Sequence, residues 1–381
     1  MGLQEEFKKR GIYSKIIAPR RKIQEFYGKD VILLGTSFPL PFSGSQSDFC
    51  INFNPLAIER VLNKEKFDVL HFHNFGFPSV WQVLEQSDAL NILTFHANVE
   101  GSEFLKNFPF VLYLLNKMVQ WKIDGVIGVA PLNLRIFKSY KGPKAVIPNG
   151  TDLGEFRKAP KIKKYLDGKI NILFLGRIEE RKGLIYLLKA YKILERKFPN
   201  LRLIIVGEGP LKGDLEKWVK INKLTNVIFE GKVPEEKVAV YYKSCDIFCS
   251  PAIFGESFGI VLIEAMASGR PVVAFANEGY KEVLKKGKGK RFLVKPRDYK
   301  TLAQKLEVLI KNKKLRKEMG EWGRIEAEKY SWPKIADQVL DFYQLCRKKQ
   351  QKRKRKLISF KKIFNKVYNN DIINWLKWPK Q

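Results

Sequence analysis

Two glutamates eight positions apart mark the stretch of this sequence whose residue types most clearly suggest chemistry. Glu256 and Glu264 lie in ESFGIVLIEAMASG, an otherwise apolar run, and an unpaired carboxylate is costly to bury. We predict a loop over 255–259 and a helix over 260–268, which places Glu264 about one turn into the helix. The helix start would then receive phosphate oxygens, with an acid on each side.

These acids have two interpretations. If both accept hydrogen bonds from ligand hydroxyls, they suit a ligand with hydroxyls at both ends of a diphosphate, and they need no paired cation. Otherwise Glu256 is a charge at a helix N-terminus and Glu264 faces solvent.

A second stretch supplies cations. In LFLGRIEERKG, Arg177 and Lys182 follow a predicted strand and precede a predicted helix, so they could neutralise a diphosphate beside free backbone amides. The alternative is a solvated basic turn, which 71 Lys and Arg make common. Nearby, VGEGP (206–210) is a glycine turn that lacks the full dinucleotide fingerprint.

The chain has three histidines, and all lie in its first hundred residues. His71 and His73 alternate along the predicted strand of DVLHFHN, a spacing that could suggest a metal, but no third ligand is evident. We interpret His71 as a core residue and His73 as a candidate cleft residue. His96 follows another predicted strand, in LTFHANVEG.

Short β-branched runs alternate with stretches of helical period in two successive series, which predicts an α/β protein with two doubly wound domains. Ligands of such sheets collect at the carboxyl ends of strands. No apolar run is long and uncharged enough to span a membrane, and the N-terminus lacks a signal-peptide core. Four scattered cysteines indicate a reducing cytoplasm.

The net charge of +32 is unevenly distributed. Residues 347–381 contain thirteen Lys and Arg and one acid, so this segment carries +12. It combines a cationic block with apolar residues at helical spacing and two tryptophans, which favours an anionic membrane surface. A solvated tail is the alternative. The apolar residues are Leu357, Phe360, Phe364, Val367, Trp375 and Trp378.

The ordered set GRIEERKG, VGEGP, FEGKV and ESFGIVLIEAMASGRPVVAF resembles the donor-binding half of retaining GT-B glycosyltransferases of the Glu-x7-Glu type (family 4-like, group 1). VIPNGTDLGEF and YSWPKIADQVLDFY also match. The resemblance implies two Rossmann-like domains facing a central cleft. We expect an acceptor-side domain over 1–151, a donor-binding domain over 152–330, a helix over 331–350 that crosses back to the first domain, and a basic amphipathic tail over 351–381.

The resemblance also implies roles for individual residues. Arg177 and Lys182 would neutralise the donor diphosphate, Glu256 would contact hydroxyls of the donor sugar, and His96 would lie beside that sugar and its phosphate. Glu264 would bind the ribose. The remaining donor-binding positions are Gly176, Gly207, Glu230, Gly231, Phe258, Gly259, Ile260 and Val261.

One departure from the family concerns the N-terminus. Family members begin with a strand and a glycine-rich loop, whereas GLQEEFKKRG resembles the first helix. We expect either a start codon placed too far downstream or a truncated enzyme.

The expected function is retaining transfer of a hexose from a nucleotide-diphosphate sugar to a lipid-linked or envelope glycan acceptor, as in lipopolysaccharide or exopolysaccharide synthesis. We expect no cofactor and no metal, and a cytoplasmic protein held peripherally on the inner face of the membrane. The alternatives are a basic nucleic-acid- or membrane-binding protein, or a donor-binding scaffold with weakened catalysis. Polybasic segments bind nucleic acid without specificity, but no RNA-binding motif is present.

Overall fold

The computed structural model describes residues 2–21, 25–42, 45–74, 78–98 and 109–351. Strands of the first half form a three-stranded sheet, in the order β1-β2-β3, and a four-stranded parallel sheet, in the order β4-β5-β6-β7. The strands are β1 Ile16–Arg20, β2 Val31–Phe42, β3 Ser45–Ile51, β4 Val69–His73, β5 Leu90–Phe95, β6 Gly125–Gly128 and β7 Lys144–Val146. The helices are α1 Gly2–Lys9, α2 Pro55–Glu65, α3 Pro78–Gln86 and α4 Pro109–Lys122.

Two elements of the first half differ from the sequence prediction. β3 pairs antiparallel with β2, because the two-residue connection between them is too short for a parallel crossover. The stretch PLNLRIFKSY, whose residue pattern predicts an α-helix, forms a 3-10 helix over Pro131–Phe137 instead. Asn133 fixes this tighter turn: its side chain accepts a hydrogen bond from the Ala130 amide and donates one to the Ala97 carbonyl.

A cavity of about 1300 Å³ lies between the two sheets of the first half, lined by β1 on one side and β4 on the other. Within the described residues, β1 pairs only with β2, and β4 pairs only with β5. The strand that the family resemblance implies ahead of α1 has no counterpart among these residues.

The second half is a six-stranded parallel sheet in the order β10-β9-β8-β11-β12-β13. The strands are β8 Ile170–Leu175, β9 Leu201–Val206, β10 Val227–Gly231, β11 Ile247–Ser250, β12 Val272–Phe275 and β13 Leu293–Val294. The helices are α5 Leu153–Lys158, α6 Leu184–Glu195, α7 Lys212–Ile221, α8 Val238–Ser244, α9 Ile260–Ala267, α10 Glu278–Leu284, α11 Tyr299–Lys311 and α12 Lys313–Ala327.

Both faces of this second sheet are buried, as the doubly wound prediction requires. Ile172 and Phe174 of β8 point into a core that includes α6 and α11. Leu173, between them, points into the opposite core, with α8 and α9. Alternate residues of one strand therefore anchor helices on opposite faces.

A final helix, α13 over 332–351, packs against the first half of the chain. Its residues Val339 and Phe342 are buried with Phe7 of α1 and with Ile92 and Ile127 of the four-stranded sheet. Near the described end of α13, Arg347 donates to Asp68 at 2.8 Å and Gln350 donates to Asp124 at 3.0 Å. The predicted domain boundaries at 151 and 330 stay predictions, and residues 352–381 of the predicted tail lie outside the described residues.

Candidate active site

Backbone turns at the carboxyl ends of adjacent strands form the floor of the candidate donor site. Gly176 follows β8, and its amide donates to the Val206 carbonyl at 3.0 Å. Gly207 follows β9, and its amide donates to the Gly231 carbonyl at 2.8 Å. Gly207 has a φ of +140°, and a Cβ at this position would lie 1.9 Å from the Gly176 carbonyl oxygen. The close approach of these two turns therefore requires glycine.

Lys182 and Glu256 meet directly in the structure. Lys182 Nζ lies 2.7 Å from Glu256 Oε1, and Arg181 Nη1 lies 3.1 Å from the same oxygen. The expectation that Glu256 needs no paired cation is therefore wrong. The reason is burial: the Glu256 side chain is only 12% exposed, and a carboxylate so enclosed is costly without a partner.

The turn that carries Lys182 is attached to the loop that carries Glu256. The Ile253 amide donates to the Arg181 carbonyl at 2.7 Å. Gly183 ends the 3-10 turn Glu180–Lys182 with a φ of +65°, and a Cβ there would lie 2.2 Å from the Pro251 carbonyl oxygen. Glycine at this position allows the two segments to come into contact.

Arg177 lies beside Glu179, and its predicted role at a diphosphate stays a prediction. Its Nε lies 3.4 Å from Glu179 Oε2, and its side chain is 52% exposed. Arg181, which we did not predict as a site residue, contacts both Glu179 and Glu256. The stretch GRIEERKG contains three cations, Arg177, Arg181 and Lys182. Only the folded turn shows that Arg181 joins Lys182 at Glu256.

The start of α9 lies at the predicted change from loop to helix. Gly259 precedes the helix with a φ of +109°, and α9 begins at Ile260. The amides of Ile260 and Val261 belong to the first turn, where backbone donors lack partners within the helix. Phe258 is buried, and its ring meets the Tyr330 ring edge-on at 5.5 Å.

Glu264 lies further along α9, and it is held by a hydroxyl rather than a cation. The Tyr242 hydroxyl donates to Glu264 Oε2 at 2.9 Å. Burial raises the pKa of Glu264 to about 7 from an ordinary value of 4.5, while the hydrogen bond from Tyr242 opposes that shift. Among the described residues no ion pair forms at Glu264, so near neutral pH this carboxyl group is poised between its two protonation states.

Glu230 at the end of β10 is already engaged by neighbours. It accepts hydrogen bonds from Lys164 at 2.6 Å and from Tyr241 at 2.8 Å, and also from Tyr165. Two of these donors, Lys164 and Tyr165, belong to the junction between the two halves of the chain. Glu230 therefore fixes that junction to the sheet, beside the Gly231 turn.

The three histidines lie in one row at the cavity in the first half. His73 Nδ1 lies 3.0 Å from His96 Nε2, and their rings stack with centroids 5.3 Å apart. His71 stacks on the other side of His73 at 4.5 Å. His73 is thus a direct neighbour of His96, and its interpretation as a cleft residue stays a prediction.

Both ring nitrogens of His71 are engaged by structural partners. His71 Nε2 lies 2.6 Å from the Thr94 hydroxyl, and Nδ1 lies 2.6 Å from the Tyr343 hydroxyl of α13. Burial and the neighbouring imidazoles hold the pKa of His71 well below its usual range. These contacts support its interpretation as a core residue.

His96 is positioned by its own neighbours. Its backbone amide donates to Asn74 Oδ1 at 2.9 Å. Burial lowers the pKa of His96, and a hydrogen bond with the Asn149 side chain opposes that shift. Burial, together with the charge of a protonated His96, lowers the pKa of His73 to about 4. All three imidazoles are therefore neutral at pH 7.

The carboxyl-end edges of the two parallel sheets face each other. Arg135, which follows β6, lies 3.3 Å from Glu278, which follows β12. His96 follows β5 on the first edge, and Glu256 follows β11 on the second. Within the described ranges, no cluster of three or more His, Cys, Asp or Glu side chains could hold a metal ion.

Comparison with known proteins agrees with this architecture. The family model Glycosyltransferase Family 4 matches residues 1–155, and the model Glycosyl transferases group 1 matches residues 155–326. The phosphatidyl-myo-inositol mannosyltransferase of Mycobacterium leprae is 33% identical over 355 residues, which is 90% of each chain.

Solved structures share the fold at lower identity. Sucrose-phosphate synthase from Thermosynechococcus elongatus aligns with a TM-score of 0.69 at 22% identity, over 90% of this chain and 91% of that one. The Anabaena HepE protein in complex with UDP aligns with a TM-score of 0.63 at 18% identity, over 74% and 80%. The chain belongs to the glycosyltransferases of family 4 and group 1, and its two Rossmann-like halves form a GT-B fold.

Proposed function

We propose that this glycosyltransferase moves a hexose from a nucleotide-diphosphate sugar to a lipid-linked or envelope glycan acceptor, with retention at the anomeric carbon. The observation that carries this proposal is the Lys182–Glu256 contact beside the start of α9. A largely enclosed cation, a largely enclosed acid and the first-turn amides of a helix together suit a ligand that combines phosphate and hydroxyl groups.

Each group of the site has a role in donor binding. Lys182 and the first-turn amides of α9 would receive the diphosphate oxygens, with Arg177 at the exposed side. When the donor binds, Glu256 would give up part of its contact with Lys182 and accept hydrogen bonds from hydroxyls of the donor sugar. Glu264 would accept hydrogen bonds from the ribose, since Tyr242 occupies only one of its oxygens.

The retaining mechanism we propose is an internal return. The bond between the anomeric carbon and the phosphate oxygen breaks, and the acceptor oxygen bonds to that carbon on the same face. The acceptor proton passes to the departing phosphate oxygen. Lys182 and the helix start stabilise the charge of that leaving group, while Glu256 stays engaged with hydroxyls and is not the nucleophile of a double displacement.

His96 would contact the donor sugar and phosphate from the opposite domain. The facing edges marked by Arg135 and Glu278 support this arrangement. Because its pKa is lowered, His96 would act as a neutral hydrogen-bonding group at pH 7 rather than as a cation.

The acceptor assignment is supported by the relatives and by charge. The Mycobacterium leprae relative is named for a phosphatidyl-myo-inositol acceptor. The net charge of +32 suits an anionic surface. Across the part of the chain that the structure describes, no helix could cross a bilayer, so we propose peripheral attachment, with the basic tail as one contact.

The donor and stereochemistry can be tested together. The protein is incubated with each member of a panel of nucleotide sugars, binding is measured by thermal shift, and the product of the best donor is examined by proton NMR. We expect retention of the anomeric configuration, and unchanged turnover after chelation of divalent metals. An inverted product, or loss of turnover with chelator that is restored by added metal, would exclude the proposed mechanism.

The tail is tested by vesicle co-sedimentation. The structure sets the truncation point, because Arg347 and Gln350 contact Asp68 and Asp124, so the shortened chain should end at residue 351. We expect it to bind phosphatidylglycerol vesicles more weakly than the full chain does. Equal binding by both forms would remove the tail from the proposal.

A further inference from the structure

The surface of α4 carries an apolar stripe that faces away from the protein. Phe110 is 65% exposed, Tyr113 56%, Leu114 43% and Trp121 63%. With Lys117, these residues recur at intervals of three, four and seven positions, so they lie along one side of the helix. We call residues 110, 113, 114, 117 and 121 the α4 stripe.

The opposite side of α4 already packs in the core. Val119 is buried at 0% exposure, and Ile123, directly after the helix, at 4%, in a cluster with Leu84 of α3. A helix on the surface of a globular protein normally turns polar residues outward. Because α4 is apolar on both sides, the stripe is a candidate interaction surface rather than part of the core.

The charges around the stripe indicate the chemistry of its partner. Helix α4 contains no acid. Lys117 Nζ lies 5.5 Å from the centre of the Tyr113 ring, and Lys122 Nζ lies 5.4 Å from the centre of the Trp121 ring. Tyrosine and tryptophan with adjacent lysines are typical of segments that lie at the interface of an anionic bilayer.

The geometry also suits shallow insertion. Phe110 and Trp121 are eleven residues apart, so the stripe extends about 16 Å along the helix. The Asn91 side chain donates to the Lys122 carbonyl at 3.1 Å, which places the C-terminal end of α4 at the start of β5. The Phe110 end therefore points towards the opposite, carboxyl-end edge of the sheet, where His96 lies.

We infer that the α4 stripe is a membrane-docking surface, with its aromatic rings inserted among the headgroups of an anionic bilayer and Lys117 at the phosphates. This inference adds to the proposed function a surface through which the protein would reach a lipid acceptor. It rests on that proposal only for the biological purpose of membrane binding. Docking through α4 brings the carboxyl-end edge of the first domain close to the lipid surface. It is a contact separate from the basic tail.

The test uses the full-length chain and vesicles of phosphatidylcholine, with or without phosphatidylglycerol. One variant combines Phe110→Ser, Tyr113→Ser and Trp121→Ser. The matched control combines Ile221→Ser and Ile325→Ser, which remove apolar side chains that are 79% and 73% exposed in the other domain. Thermal unfolding of each variant checks that the fold is intact.

Salt separates the stripe from the tail, because attraction between exposed charges is screened at high ionic strength whereas apolar insertion is not. At high salt we expect the stripe variant to bind phosphatidylglycerol vesicles about tenfold or more weakly, since every 1.4 kcal/mol of lost binding is a factor of ten. The control should bind as the unaltered chain does. Equal binding by the stripe variant and the control would overturn the inference.

Two further measurements complete the test. Brominated lipids should quench tryptophan fluorescence less in Trp121→Phe than in the unaltered chain, and equal quenching would count against insertion. If the stripe variant instead changes the sedimentation of the protein without lipid, the stripe is a contact between copies of the chain and the inference is wrong. Binding is measured without donor or acceptor, so it can succeed even if the proposed reaction fails.

Discussion

Lys182 Nζ lies 2.7 Å from Glu256 Oε1, and both side chains are largely enclosed, at 14% and 12% exposure. A cation expected to bind phosphate and an acid expected to bind sugar hydroxyls are therefore partners when no ligand separates them. The pair keeps both charged groups compensated and adjacent, which supports the proposed binding of a donor that combines phosphate and hydroxyls.

Replacing Lys182 tests the role of this pair in turnover. We expect Lys182→Ala to lower the rate of transfer by about 100- to 1,000-fold, the usual effect of removing one group that stabilises developing charge. The fold should persist, because Arg181 still contacts Glu256 at 3.1 Å. Product formation and circular dichroism are the measurements.

A lysine in a comparable pair elsewhere provides the control for this substitution. Lys197 Nζ lies 3.1 Å from Glu307 Oε2, and its side chain is 55% exposed. Lys197→Ala should leave turnover unchanged. Full activity of Lys182→Ala would remove Lys182 from the active site.

Gly279 tests whether the position of the Glu256 loop matters. A Cβ at Gly279 would lie 2.5 Å from the Glu256 carbonyl oxygen and 2.8 Å from the Phe258 amide nitrogen. Gly279→Ala should therefore displace this loop, raise KM for the donor and lower the free energy of unfolding by about 1–3 kcal/mol.

The control for Gly279 is another helical glycine. Gly213 in α7 has no atom within 4 Å of an added Cβ. Gly213→Ala should leave KM unchanged and stabilise the fold by about 0.5–1 kcal/mol. A normal KM for Gly279→Ala would show that donor binding tolerates displacement of the loop.

Glu264 makes stability depend on pH near neutrality. Its pKa is about 7 in the fold and 4.5 ordinarily, so the folded state holds a proton that the unfolded state releases between these values. The free energy of unfolding should therefore fall as pH rises from 4.5 to 7, by roughly 3 kcal/mol at most. Glu264→Gln should remove this part of the pH dependence, as chemical denaturation across that range would show. An unchanged pH dependence in the variant would contradict the assignment.

Donor binding should release a proton through the same group. Ribose hydroxyls donate to the ionised carboxylate and so lower the pKa of Glu264. Calorimetry near pH 7, in buffers of different ionisation enthalpy, should show proton release for the unaltered chain and less for Glu264→Gln. Equal release by both proteins would separate Glu264 from the ligand.

His73 should position His96 through their 3.0 Å contact. His73→Phe removes the hydrogen bond and should lower turnover and shift the pH–rate profile. His73→Asn keeps a polar atom near the position of Nδ1 and should restore much of the activity and the original profile. If His73→Phe and His73→Asn give the same pH–rate profile, His73 contributes only through its packing.

The histidines also predict a loss of stability in acid. The pKa of His73 is about 4 in the fold against 6.5 ordinarily. As pH falls, the unfolded state therefore takes up this proton at a higher pH than the folded state does. The contribution of His73 to stability is therefore complete above pH 6.5 and is lost as pH falls towards 4. His73→Asn should flatten this part of the denaturation profile, and an equally steep profile would argue against a neutral His73 in the fold.

The sequence by itself determined the parallel sheets and the loop-to-helix change at Gly259. Alternating β-branched and helical stretches specify parallel sheets, because strands buried on both faces must be apolar throughout. The glycines at 176, 207 and 259 indicate turns that other residues could not adopt, and they lie at strand ends or helix starts in the fold.

Only the tertiary structure decided which charged groups meet. Lys182 and Glu256 are 74 positions apart, and the choice between a hydroxyl-binding acid and an ion-paired one depends on how enclosed the two side chains become. The row of histidines likewise requires β4 and β5 to pair in register, His73 beside Thr94, and α13 to place Tyr343 against His71. Burial and long-range pairing produce these contacts, and neither can be derived from the spacing of residues along the chain.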